Sequence, residues 1–169
     1  EAGEKALGKD RNSASKESKK IVKEKFIELF PSYISKLKAF GVNTSNIKSP
    51  ESYTKVAKSG GAAESTRAML AYYVTFYNLI SIYSEEVLSP LVIDTPNQHE
   101  QAAKHYESIV SLVMNNTPEN SQIFLCGMDS KKLSQMKGKG KVHLLEKEHA
   151  LLEASEYEGL SEKYGSIFE

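Results

Sequence analysis

The chain has 169 residues, and its 22 Lys+Arg are balanced by 22 Asp+Glu. It therefore lacks the global basic charge that marks many nucleic-acid-binding proteins. Its 40% hydrophobic content supplies a core for one domain of ordinary size. The single cysteine, Cys126, excludes an internal disulfide framework, argues against a Cys-based zinc site and fits a reducing, cytoplasmic setting.

The chain opens on Glu1 with no charged-then-apolar leader, and the expectation is a piece of a longer polypeptide. Residues 1–14 are small, polar and charged, and read as a mobile lead-in. Helical periodicity begins near Ser15, with Ile21, Val22, Phe26, Leu29 and Phe30 on one face. Lys16, Lys19, Lys20, Lys23 and Lys25 crowd the same segment and read first as a solvated face, with a local basic surface as the alternative. Pro31 is expected to break or restart the helix. Tyr33, Ile34, Leu37 and Phe40 carry the stripe on to Gly41, a stop signal. The expected divisions are thus a lead-in (1–14), an arm helix (15–41) and a lobe (42–169).

Residues 42–58 are mostly polar and read as loop with a short strand. A long helix over 62–86 follows Ser59-Gly60-Gly61. Its stretch from Ala68 to Tyr83 carries no charge, but it is shorter than the roughly 20 residues of a membrane span and reads as a core helix. Within it Tyr72, Tyr73, Phe76 and Tyr77 read as core and partner-facing residues rather than a base-stacking platform. Leu91-Val92-Ile93 reads as a short buried strand ending at Asp94. A helix over 98–114, a strand over 122–126, a short helix over 130–136, a strand over 142–145 and a helix over 153–164 complete the order. Strands alternating with helices predict an α/β fold with a mainly parallel sheet.

Two constellations carry chemistry. Gly60 and Gly61 let backbone approach a ligand closely, and a helix start presents free N–H groups to phosphate. Taken alone, the same residues also read as an ordinary glycine loop. Asp94 ends an apolar strand at the sheet edge where ligands bind in open α/β folds, and its carboxylate suits Mg²⁺. It reads equally as the cap of the following turn. A glycine-rich run, Gly3 to Lys9, has Asp10 where a phosphate loop needs Ser or Thr and is set aside. His99, His105, His143 and His149 lack helical metal-ligand spacing, and no G-x-S-x-G elbow supports an α/β-hydrolase.

The order of these elements resembles the C-terminal lobe of ABC-type P-loop ATPases of the SMC and DNA-repair coiled-coil group, nearest to the ATPases of anti-phage defence systems. The resemblance spans roughly Lys19 to Leu152. It implies that Ser59, Gly60 and Gly61 form the signature motif, which contacts the γ-phosphate of ATP held by the opposite subunit. It implies that Asp94 is the Walker B aspartate organising Mg²⁺, that residues 97–101 lie at the dimer interface, and that the first helix is a returning coiled-coil arm. The implied partners are an N-terminal lobe carrying the phosphate loop, a second copy, DNA, and a nuclease or other effector subunit; no membrane is implied. Two positions depart from the family. Thr95 stands where a glutamate orients the attacking water, leaving Gln98 or Glu100 to act, and Met128 stands where a switch histidine is usual. A degenerate assembly module without turnover is the competing expectation.

Overall fold

A computed structural model describes residues 2–58, 60–94, 103–127, 140–143 and Glu158, with backbone alone over 2–10 and at Ala103. The chain divides into two compact units, Glu1–Leu133 and Ser134–Glu169. In the first unit, helix α1 runs over Ala2–Lys36, α2 over Tyr53–Ala57, α3 over Ala62–Tyr83 and α4 over Ala103–Asn116. Strands β1 (Leu91–Asp94) and β2 (Ile123–Cys126) pair in parallel, with Asp94 opposite Cys126. In the second unit, residues 141–143 have no regular structure and Glu158 is helical. The helix expected over 130–136, and the remainder of the elements expected over 142–145 and 153–164, lie outside the described residues.

The first helix differs from expectation at both ends and in the middle. It starts at Ala2 rather than near Ser15 and continues through Pro31. A proline in a helix interior costs about 3 kcal/mol. The residues around it outweigh that cost: Phe26, Phe30, Tyr33, Ile34 and Leu37 form one buried stripe across the proline, each contributing about 1.5–3 kcal/mol. Phe26 and Phe30 stack with ring centroids 5.2 Å apart. Ile21, assigned to this face by periodicity, is exposed.

The stop is not Gly41. Lys38 takes the left-handed conformation (φ 54°). Its N–H donates to the Ser35 carbonyl at 3.0 Å, and the Ala39 N–H donates to the Ile34 carbonyl at 3.1 Å. These two bonds are those of a Schellman corner, with lysine in the place that glycine usually holds. The corner turns Ala39 into the core and leaves Phe40 73% exposed, so the apolar stripe ends at Leu37.

Residues 42–58 contain no strand. They form two 3₁₀ turns, Thr44–Asn46 and Pro50–Ser52, followed by α2. The Asn43 side chain caps the first turn by accepting from the Ser45 N–H. Helix α3 matches its predicted start and packs along α1. Ala68 and Ala71 allow close approach, and Tyr72 and Val74 complete the core with Val56, Ile109 and Leu112. The Tyr72 hydroxyl donates to the Pro50 carbonyl at 2.7 Å. The Tyr77 hydroxyl donates to the Ser89 carbonyl at 2.8 Å, which holds the approach to β1 against α3.

The strands are buried on one face only, rather than on both. Ile93 is buried and Leu91, Ile123 and Leu125 are half-buried. On the other face, Val92 is 63% and Phe124 49% exposed, and the register sets them directly opposite each other.

Candidate functional site

The strand that ends in Asp94 and the N-terminal half of the helix that opens after the Gly60-Gly61 pair line one cavity. Ser65 and Thr66, in the first turns of α3, share the wall of one cavity of about 530 Å³ with Asp94, Ile93, Leu70 and Tyr73. The Ser65 hydroxyl donates to the Ala57 carbonyl at 3.1 Å, and Thr66 donates to the Ala62 carbonyl at 3.1 Å. Both hydroxyls are thereby engaged with backbone, and Asp94 is the charged group of the wall. Its side chain is exposed.

The two glycines do different things. Gly60 has φ +80°, a conformation open to glycine and strained for other residues. A Cβ there would also meet the Glu64 Cβ at 3.1 Å. Gly61 is the N-cap residue of α3 in extended backbone, without a side-chain cap for the free N–H groups. A Cβ at Gly61 would meet nothing within 4 Å. Open space at Gly61 and a helix start without a side-chain cap therefore coincide, at an end of the dipole that favours an anion.

A polar cluster invisible in the sequence braces this loop. The Gly41 N–H donates to the Glu64 carboxylate at 3.0 Å. Arg67 is buried, and its guanidinium donates to the Lys38 carbonyl at 3.4 Å. Burial holds the Arg67 pKa below its ordinary value, partly offset by Glu64. His105 in the first turn of α4 is held below the ordinary histidine range, first by burial and then by the charges of Arg67, Lys104 and Lys38. Among the described residues, its buried Nδ1 has no hydrogen-bond partner. Helix periodicity assigns Glu64, Arg67 and His105 to no motif. The hint in the sequence is only that Arg67 is the last charged residue before the uncharged stretch from Ala68 to Tyr83.

Of the sequence-predicted site residues, Asp94 lies on the cavity wall, and Gly60 and Gly61 lie at the start of the helix whose next turns line it. Ser59, Thr95, Gln98, Glu100 and Met128 lie outside the described residues. Among the described residues, no three His, Cys, Asp or Glu side chains converge as a metal cage, and no helix is long and apolar enough to cross a membrane. Tyr72 and Tyr77 are buried, whereas Tyr73 and Phe76 are exposed, dividing the aromatic run between core and surface. No family model, curated protein or solved structure gives a significant match to this chain.

Proposed function

We propose that this chain is the C-terminal half of an ATPase head, which binds and hydrolyses ATP at a head-to-head dimer interface and acts on DNA. The supporting observation is that Asp94 shares a cavity wall with Ser65 and Thr66, in the first turns of a helix whose start, at Gly61, is open and without a side-chain cap. In this reading Ser59, Gly60 and Gly61 present backbone N–H groups to the γ-phosphate of ATP held by a second copy. Asp94 holds Mg²⁺, a metal that commonly takes one or two protein carboxylates and completes its shell with phosphate and water.

The half-covered sheet supports a missing lobe. Parallel sheets are usually covered on both faces, and an isolated pair of strands is marginal. The exposed Val92–Phe124 pair is apolar surface that an N-terminal lobe with its phosphate loop would cover. Gln98 or Glu100 then orients the attacking water in place of the residue at Thr95. Thr95 and Met128 themselves favour a second reading, in which ATP joins two heads as a nucleotide-gated module and turnover is negligible.

The test is ATP-dependent self-association of the chain joined to its phosphate-loop lobe, followed by light scattering. Gly61→Arg, at a position with room for a side chain, is expected to keep the fold and remain monomeric with ATP. Equal association of the variant and the parent would remove Gly61 from the nucleotide site.

A further inference from the structure

The upper part of α1 carries a lysine stripe that the core does not use. Every residue from Arg11 to Lys20 is exposed, as is Lys23. Lys16, Lys19, Lys20 and Lys23 follow i, i+3, i+4, i+7 spacing, so at 3.6 residues per turn they occupy an arc of about 100° and a length of about 10 Å. Lys25, the fifth lysine of this segment, belongs elsewhere: it pairs with Glu28 at 2.7 Å. Glu17, Glu24 and Glu28 lie on the neighbouring arc, outside the stripe. Lys20 has Glu17 and Glu24 at helical contact spacing but forms no ion pair among the described residues. Lys16, Lys19 and Lys23 have no acid at i±3 or i±4. Glu51, on the 3₁₀ turn below, feels Lys19 and Lys23, after its bonds to Ser49 and its own backbone, and its carboxyl is held below the ordinary value.

This arrangement works against the helix. Lys16–Lys19, Lys16–Lys20, Lys19–Lys23 and Lys20–Lys23 are like-charge neighbours, a spacing that destabilises helices. We infer that this stripe is a docking surface for the phosphate backbone of duplex DNA. Duplex DNA carries one charge per about 1.7 Å of axis, so about 10 Å of stripe faces several phosphates. Residues 11–25 contain no aromatic side chain, which removes the stacking on which single-strand binding depends. Residues 11–20 contain no apolar residue larger than Ala14, so a protein helix laid there would bury little apolar surface. The site is a local one, consistent with a chain of zero net charge. The inference rests on the DNA part of the proposed function and is independent of the nucleotide chemistry.

Fluorescence anisotropy with a labelled DNA duplex, without nucleotide, tests it on the full chain. Binding is expected to weaken about 100-fold between 50 and 200 mM salt, as four released counterions require. In the quadruple variant Lys16→Gln, Lys19→Gln, Lys20→Gln, Lys23→Gln, binding should be largely lost and the salt slope reduced by about 3–4. Glutamine is as good a helix former as lysine, and circular dichroism should show the helix retained. Asp94→Asn should leave duplex affinity unchanged, even if the ATPase reading fails. An unaltered affinity and salt slope in the quadruple variant would overturn the inference. So would preference for single strands, absence of duplex binding, or binding of polyglutamate in place of duplex.

Discussion

The backbone N–H of Gly41 donates to the carboxylate of Glu64 across 3.0 Å, joining the corner that ends α1 to the first turn of α3. A Cβ at Gly41 would fall 2.3 Å from Glu64 Oε2, so Gly41→Ala must displace that carboxylate and strain the bond. The expected loss is about 0.5–1.5 kcal/mol in chemical denaturation. Gly61→Ala, with open space at the same helix start, should stay within about 1 kcal/mol of the parent. Equal losses at the two glycines would contradict the assigned packing.

Pro31 lies within a continuous helix, where it withholds one backbone donor. Pro31→Ala restores that N–H at the cost of a more flexible unfolded chain. The variant should be more stable by about 1–2 kcal/mol, measured by urea denaturation. A destabilised variant would mean that the proline fixes the helix geometry in which Phe26 and Phe30 pack.

His105 titrates below its ordinary value of 6.5 because burial and the charges of Arg67, Lys104 and Lys38 oppose protonation. In the unfolded chain it binds a proton more readily than in the folded one. Stability therefore rises with pH across the window below and around 6.5, and is lost on acidification through it. His105→Asn should flatten this part of a melting-temperature profile. An unchanged profile would assign the acid sensitivity to other groups.

Val92 and Phe124 face each other on the open side of the sheet. Phe124→Gln should cost the isolated chain less than about 1 kcal/mol, since the ring is half in solvent. The same change should weaken association with a phosphate-loop lobe at least tenfold, measured by calorimetry. A large loss of stability with no effect on association would mean that the face belongs to this chain alone.

Much of the fold was legible because α3, β1 and β2 combine strong apolar patterns with clear punctuation. Ser59-Gly60-Gly61 marks the start of α3, and Asp94 marks the end of β1. The departures have physical causes. Pro31 carries a local penalty that a buried stripe spanning it outweighs, and such a stripe is a tertiary effect. Lys38 in a left-handed corner has no sequence signature, so the stop signal at Gly41 lies three residues late and Phe40 falls outside the core. The one-sided burial of β1 could not be read from Leu91-Val92-Ile93, because an apolar run looks the same whether one face is covered or two. The brace formed by Gly41, Glu64, Arg67 and His105 joins three segments distant in sequence, and no single-sequence pattern links them.

The most direct test of the ATPase assignment is steady-state ATP turnover by the chain joined to its phosphate-loop lobe, with and without Asp94→Asn. Turnover in the parent that falls at least 100-fold in a variant with an unchanged melting temperature is the predicted result. Turnover that survives the loss of the Asp94 carboxylate would contradict the account.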